Sequence, residues 1–263
     1  YVYSTGHGVQ ASDKDAFRWY TRGAQMGDAI AQNNLATMLR AGRPYAPDLN
    51  LASQWFLQSA MQNNARAQYN LATMYRTGEG IKKNYAEALR WYGYAANQGD
   101  AYAQNALAFM YRAGEGVPKN DTVALDWYRR AAEQGHVLSQ YALGRMYENK
   151  EGDPSKGPAD AAIWYFHAAK KGFAKAQYRL GVLYEQGKGL PADDHEAYKW
   201  YKQAAENDEA YLPAYAAIGQ MYERGIAGKE PNFDKALEWY EKAADLNDGA
   251  SQIQLSKIHM TAV

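Results

Sequence analysis

The chain of 263 residues contains no cysteine. Disulfides, cysteine-ligated zinc and thiol catalysis are thereby excluded, while the compartment stays open. An excess of either charge is lacking too: 29 Lys and Arg balance 29 Asp and Glu. No whole-molecule field therefore draws the chain onto nucleic acid or an anionic membrane, and any electrostatic recognition has to be local. No apolar run approaches the roughly 20 residues that span a bilayer, and the start shows no charged segment followed by an apolar one. Proline is scarce at 8 residues, whereas Tyr and Gly each number 23 and Trp 7. So skewed a set implies that something recurs.

The recurrence lies in the tryptophans, each of which is followed by an aromatic: Trp19-Tyr20, Trp55-Phe56, Trp91-Tyr92, Trp127-Tyr128, Trp164-Tyr165, Trp200-Tyr201 and Trp239-Tyr240. Their spacings are 36, 36, 36, 37, 36 and 39. A period of this length marks a solenoid whose units are too small to bury their own apolar face and stack on their neighbours. Seven residues before each Trp stand Ser12, Asp48, Asn84, Asn120, Gly157, Asp193 and Asn232, all types that start a helix. Asn84 with Glu87, and Asp193 with Glu196, have capping-box spacing. Eight residues after each Trp stand Gly27, Asn63, Gly99, Gly135, Gly172, Asp208 and Asn247, types that take the left-handed angles of a helix end.

Each unit thus reads as a pair of helices. The first carries an apolar stripe, as in Ala67, Leu71 and Tyr75, and closes at a glycine such as Gly6, Gly42, Gly78, Gly114, Gly187 or Gly225, with Lys150 as the exception. In this register Tyr3 ends a truncated first helix and residues 250–260 form an unpartnered one. Residues 1–263 then read as one array cut from a longer one, with the indoles as inward-facing packing material. Extra residues at Asn149 to Pro158, Glu206 to Pro213 and Gly225 to Asn232 are expected to emerge as loops or to bend the stack.

The string Leu-Ala-x-Met-Tyr-x-x-Gly-Glu-Gly at Leu71 and again at Leu107, followed by Ala-x-x-Trp-Tyr-x-x-Ala-Ala at Ala88 and Ala124, resembles the Sel-like repeat family, a tetratricopeptide relative. The resemblance implies an all-α, right-handed superhelix of about seven antiparallel helix pairs. It also implies an adaptor role and, since bacterial members are often exported, a periplasmic or secreted bacterial protein, with the cytoplasm as the alternative. Cysteine-rich members staple each pair with a disulfide; this chain has no such staple, which weakens transfer of the beta-lactam binding or hydrolysis linked to them.

Chemistry is hard to find in the residues. His7, His136, His167, His195 and His259 fall at five phases of the repeat without ligand spacing, so no metal is expected and exposed or turn positions fit them better. No Gly-x-Ser-x-Gly elbow or phosphate-binding loop occurs, and pairs such as Gly78-Glu79-Gly80 follow a helix rather than a strand. No catalytic residue and no cofactor is therefore assigned.

In a tetratricopeptide-like stack the first helices line the groove, and the residues between their packing positions face it. These are Asn33, Asn34 and Thr37; Tyr69, Asn70 and Thr73; Asn105 and Phe109; Tyr141 and Arg145; Tyr178, Arg179 and Val182. The position after the last large residue of the first helix reads Arg40, Arg76, Arg112, then Glu148, Glu185, Glu223. Three equivalent arginines would make a basic ridge for carboxylate or phosphate groups, unless they are merely solvated helix ends. The leading expectation is a scaffold that grips a protein or peptide. A polysaccharide-secretion scaffold with glycan contacts through Tyr69, Tyr141 and Tyr178 is the second, and a cell-wall or beta-lactam hydrolase the third.

Overall fold

A computed structural model describes residues 12–207, 211–226, 230–245 and 249. Tyr3, Gly6, His7, Asp208, Asn247, His259 and the helix expected over 250–260 lie outside them. Among the described residues there are thirteen helices and no strand: α1 (Asp13–Gln25), α2 (Ala29–Ala41), α3 (Leu49–Met61), α4 (Ala65–Thr77), α5 (Tyr85–Asn97), α6 (Ala101–Ala113), α7 (Asp121–Glu133), α8 (Val137–Glu148), α9 (Pro158–Lys170), α10 (Ala174–Gln186), α11 (Asp194–Ala205), α12 (Leu212–Glu223) and α13 (Phe233–Asp245). The fold class is all-α, a repeat of helix pairs in which even-numbered helices are the first of a pair and odd-numbered helices the second. The chain divides into two compact units, Tyr1–Ala131 and Ala132–Val263. Helices α1 to α6 in the first unit, and α8 to α13 in the second, pack on one another in chain order.

The ends of these helices follow from the capping chemistry. The side chains of Ser12, Asp48, Asn84, Asn120, Asp193 and Asn232 each accept a backbone N–H two or three residues on. At Gly157, which has no side chain, Asp160 reaches back to the glycine N–H at 3.1 Å. The expected capping boxes at Asn84 and Asp193 do not form. The N–H groups of these two residues donate instead to the carbonyls of Tyr75 and Tyr184, the last aromatics of the preceding helices. The freed Glu87 carboxylate accepts the Trp91 indole N–H at 3.1 Å. At the other end, Asn63 has φ 64° and Lys150 φ 57°, so both side-chain-bearing residues take the left-handed turn that glycine takes elsewhere.

The core is made by the residue after the tryptophan in every repeat but the first, where Tyr20 is half-buried, and this corrects the expectation drawn from the indoles. Phe56, Tyr92, Tyr165, Tyr201 and Tyr240 are at most 1% exposed. Of the tryptophans, Trp91 and Trp200 are buried, Trp55, Trp127, Trp164 and Trp239 are half-buried, and Trp19 is exposed. One helical residue turns the side chain by about 100°, so only one of two neighbours can point at the centre of the layer. The indole lies along its edge, where cations cover it: Arg90 over Trp91, Arg130 over Trp127 and Lys242 over Trp239, at 4.5 to 5.1 Å.

A second recurring element escaped the sequence reading. Gln32, Gln68, Gln104, Gln140 and Gln177 are buried, and each donates its amide N–H to a carbonyl near the end of the preceding helix, at Ala24, Ala60, Ala96, Ala132 and Ala169. Those carbonyls also accept the backbone N–H of Gly27, Asn63, Gly99, Gly135 and Gly172 at 2.8 to 3.0 Å, so the glutamine fills their second lone pair and ties the next helix to the closing turn.

Candidate functional site

In the first unit the expected groove residues divide into those consumed by packing and those that line a cleft. Asn33 is buried and accepts from the Asn70 amide at 3.1 Å, tying α2 to α4. Arg40 forks onto Glu79 of the next repeat, with Nε and a terminal nitrogen at 2.9 and 2.5 Å. The Arg40 guanidinium holds the Glu79 carboxyl below the usual carboxylate range. The basic ridge is thus interrupted at its first member. Thr37 is exposed and Asn34 half-buried, and Arg112 lies close enough to Tyr128 to act on its hydroxyl, which burial pushes up to about 12.

The cleft lies where α4, α5 and α6 meet, with a volume of about 200 Å³. Its lining is Tyr69, Thr73, Arg76, Tyr92, Asn105, Ala106 and Phe109. Five of these seven were expected at a binding face from their register alone. Tyr92 supplies the floor. Its hydroxyl lies 2.9 Å from Thr73 Oγ1, which in turn donates to the Tyr69 carbonyl at 2.9 Å. The proton count therefore makes Tyr92 the donor to Thr73 and leaves neither hydroxyl proton facing outward. Arg76 lies over the Phe109 ring at 5.3 Å and touches Glu115 at 3.5 Å. Phe109 is exposed. An arginine and an exposed aromatic side by side offer one charged and one apolar contact to the same ligand.

In the second unit the equivalent positions do other work. Tyr141 packs its ring against Tyr165 and Phe173 at 5.8 and 5.1 Å, and Tyr178 packs against Tyr201 and Tyr211 at 5.4 and 5.3 Å. Tyr69 likewise meets Tyr92 and Tyr102 in the first unit. These three tyrosines are half-buried wedges between repeats, which removes the exposed aromatics on which the glycan reading rested. Val182 packs into the same core. Arg145 is exposed, while Arg179 pairs with Glu148.

The change of sign from arginine to glutamate has an internal cause. Where the first unit has Ala36, Ala72 and Ala108, the second has Gly144, Gly181 and Gly219. A Cβ at any of these glycines would meet a ring carbon of Tyr165, Tyr201 or Tyr240 at 2.6 to 2.7 Å. The missing methyl admits the ring, and the hydroxyls of Tyr165 and Tyr201 then reach Glu148 and Glu185 at 2.7 and 2.6 Å, four residues beyond the glycine. Burial, reinforced by those carboxylates, pushes both phenols well above the ordinary tyrosine range and fixes them as donors. A donor phenol requires an acceptor, and arginine cannot be one. Glu148 and Glu185 also bind Arg179 and Arg224. The glutamates therefore serve inter-repeat cohesion, which neither the ridge nor the solvated-end reading of this position had foreseen.

His136 acts as a helix cap, its Nδ1 accepting the Ser139 N–H at 3.3 Å, and His167 and His195 are exposed. Among the described residues no group of three His, Asp or Glu side chains gathers where a metal ion could sit, and no helix is long and apolar enough to cross a membrane.

The Sel1 repeat model matches the chain seven times, over residues 1–28, 29–64, 65–100, 101–136, 137–173, 174–209 and 212–248. These bounds pair each even-numbered helix with the odd-numbered helix after it. Among solved structures, a protective antigen of uropathogenic Escherichia coli displaying an SLR fold is 32% identical with a TM-score of 0.90; the match covers 98% of this chain and 54% of that one. The chain thus spans about half the length of that antigen. A Sel1 repeat protein from Oxalobacter formigenes is 30% identical over 88% of this chain and 97% of its own, with a TM-score of 0.70. YrrB, described as a TPR protein with an unusual peptide-binding site, is 19% identical over 78% of this chain and 99% of its own with a TM-score of 0.51, a likeness of fold alone.

Proposed function

The chain belongs to the Sel1 repeat family, and from that premise we propose that it is a non-catalytic scaffold that holds a protein through an extended peptide segment laid along its first helices. The observation that carries this reading is the cleft between α4, α5 and α6. It gathers Tyr69, Thr73, Arg76, Asn105 and Phe109, drawn from two successive repeats, around one opening. At about 200 Å³ the cleft is smaller than the ~300 Å³ at which small-molecule pockets begin, so it suits a single side chain of a longer ligand. Repeats that each offer one such contact add affinity along an extended chain while every contact stays weak. Arg40, Asn70, Arg112, Tyr141, Arg145, Tyr178 and Arg179 belong to the proposal as flanking positions of the same register, with residues 1–263 acting as one array.

Selection of a displayed random-peptide library on the purified protein tests this reading. Enriched peptides should bind the native chain and lose affinity with Phe109→Asp. Enrichment of none, or of peptides indifferent to Phe109, defeats it. Family precedent further supports export to the bacterial periplasm or the medium, with the cytoplasm as the alternative; fractionation of source cells decides between them.

A further inference from the structure

We propose that the group received by the α4–α5–α6 cleft is a carboxylate, which binds Arg76 by displacing it from Glu115; this rests on the scaffold reading and names its ligand chemistry. The support is a comparison of equivalent positions within the chain. Arg40 closes a fork on Glu79 through Nε and a terminal nitrogen at 2.9 and 2.5 Å. Arg76, one repeat later and facing the equivalent Glu115, makes only a single 3.5 Å contact with that carboxylate, from a terminal nitrogen, and otherwise reaches the Tyr92 hydroxyl at the cleft floor. Its Nε is shielded from solvent and has no acceptor. The same pair of residues that locks one repeat junction is left unlocked at the next, and the guanidinium leans over Phe109 into the cleft instead.

The rest of the lining narrows the ligand. Arg76 is the one charged residue among the seven that line the cleft. The protons of Tyr92 and Thr73 are committed to Thr73 and to the Tyr69 carbonyl, so the cation is the strongest donor available to an incoming group. A guanidinium matches a carboxylate in a two-point fork, and a cation already partly balanced by Glu115 suits a monoanion better than a doubly charged phosphate. The methylenes next to an aspartate or glutamate carboxylate would lie on the Phe109 ring. A free chain terminus carries the same carboxylate and reaches the same fork.

Three synthetic peptides separate the sources: a Gly/Ser/Tyr hexapeptide with one central Glu and an amidated end, its Gln counterpart, and the Gln peptide with a free carboxyl end. Fluorescence anisotropy should show the Glu peptide or the free-acid peptide binding roughly tenfold or more tightly than the amidated Gln peptide, the factor that one charge-assisted hydrogen bond confers. Arg76→Gln should erase that difference with helicity unchanged. Glu115→Gln should tighten carboxylate binding several-fold by removing the internal competitor, a gain that a merely structural Arg76 would not produce. Equal binding of all three peptides, persistence of the preference in Arg76→Gln, weaker binding in Glu115→Gln, or no saturable binding each overturns the proposal. Equal binding that is lost with Phe109→Asp would overturn it while leaving the scaffold reading intact.

Discussion

Replacing Gly181 with alanine puts a methyl carbon 2.6 Å from Cε1 and 2.7 Å from Cδ1 of Tyr201, and 3.2 Å from the Ala197 carbonyl oxygen. The ring is 1% exposed and its hydroxyl is fixed on Glu185 at 2.6 Å, so it cannot retreat without giving up that bond. Overpacking of this kind costs about 1 to 3 kcal/mol, and a strained charge-assisted hydrogen bond adds up to ~1.5 kcal/mol. Against this stands the ~1 kcal/mol that alanine gains over glycine inside a helix. The net expectation is a destabilisation of up to ~3.5 kcal/mol, with no net gain from the helical preference of alanine. Gly93 is the control: it lies inside α5 with nothing within 4 Å of the methyl that alanine would add, so Gly93→Ala should stabilise by ~0.5 to 1 kcal/mol. Urea unfolding followed by far-ultraviolet circular dichroism measures both. If Gly181→Ala is as stabilising as Gly93→Ala, the account of the sign change as a glycine, tyrosine and glutamate set is wrong.

Other consequences can be read directly. Gln68→Leu removes the 3.1 Å bond to the Ala60 carbonyl, which keeps the Asn63 N–H at 3.0 Å, and should cost about 0.5 to 1.5 kcal/mol in the same unfolding assay. Because Arg40 depresses the folded pKa of Glu79, that carboxylate contributes stability above its unfolded value near ~4.3 and loses it as pH falls through the folded value; Glu79→Gln should flatten the loss of stability below about pH 5. Tyr165 and Tyr201 have raised folded pKa values, so their contribution is complete below ~10 and declines as pH rises above it. Their tyrosinate absorbance should appear only together with unfolding, and the Tyr165→Phe/Tyr201→Phe double variant should show a shallower alkaline decline.

Much of this architecture is written in the residues because the repeat states each signal several times over. The cap residues before each tryptophan and the left-handed residues after it recur with the period, and their backbone roles are local enough to read without neighbours. The layer centre was misassigned because Trp and Tyr stand side by side, and only packing between helices decides which of two adjacent aromatics points inward. Asn33 and Arg40 looked free for the same reason: their partners Asn70 and Glu79 lie 37 and 39 residues away, at a distance where a single sequence gives no pairing. The glutamate half was open to reading, since glycine replaces alanine four residues before each change of sign, and that joint substitution is a packing signal. Five of the seven cleft residues were foreseen from register; Tyr92 was not, because its place in the core conceals that its hydroxyl forms the floor.

Amide chemical-shift mapping with the carboxylate-bearing hexapeptide tests most directly whether the first helices of the first unit form the gripping surface. The perturbed amides are expected to centre on Tyr69, Thr73, Arg76, Asn105 and Phe109. Perturbations centred on the second helices, around Tyr94 and Arg130, would place the ligand on the other face and contradict the account.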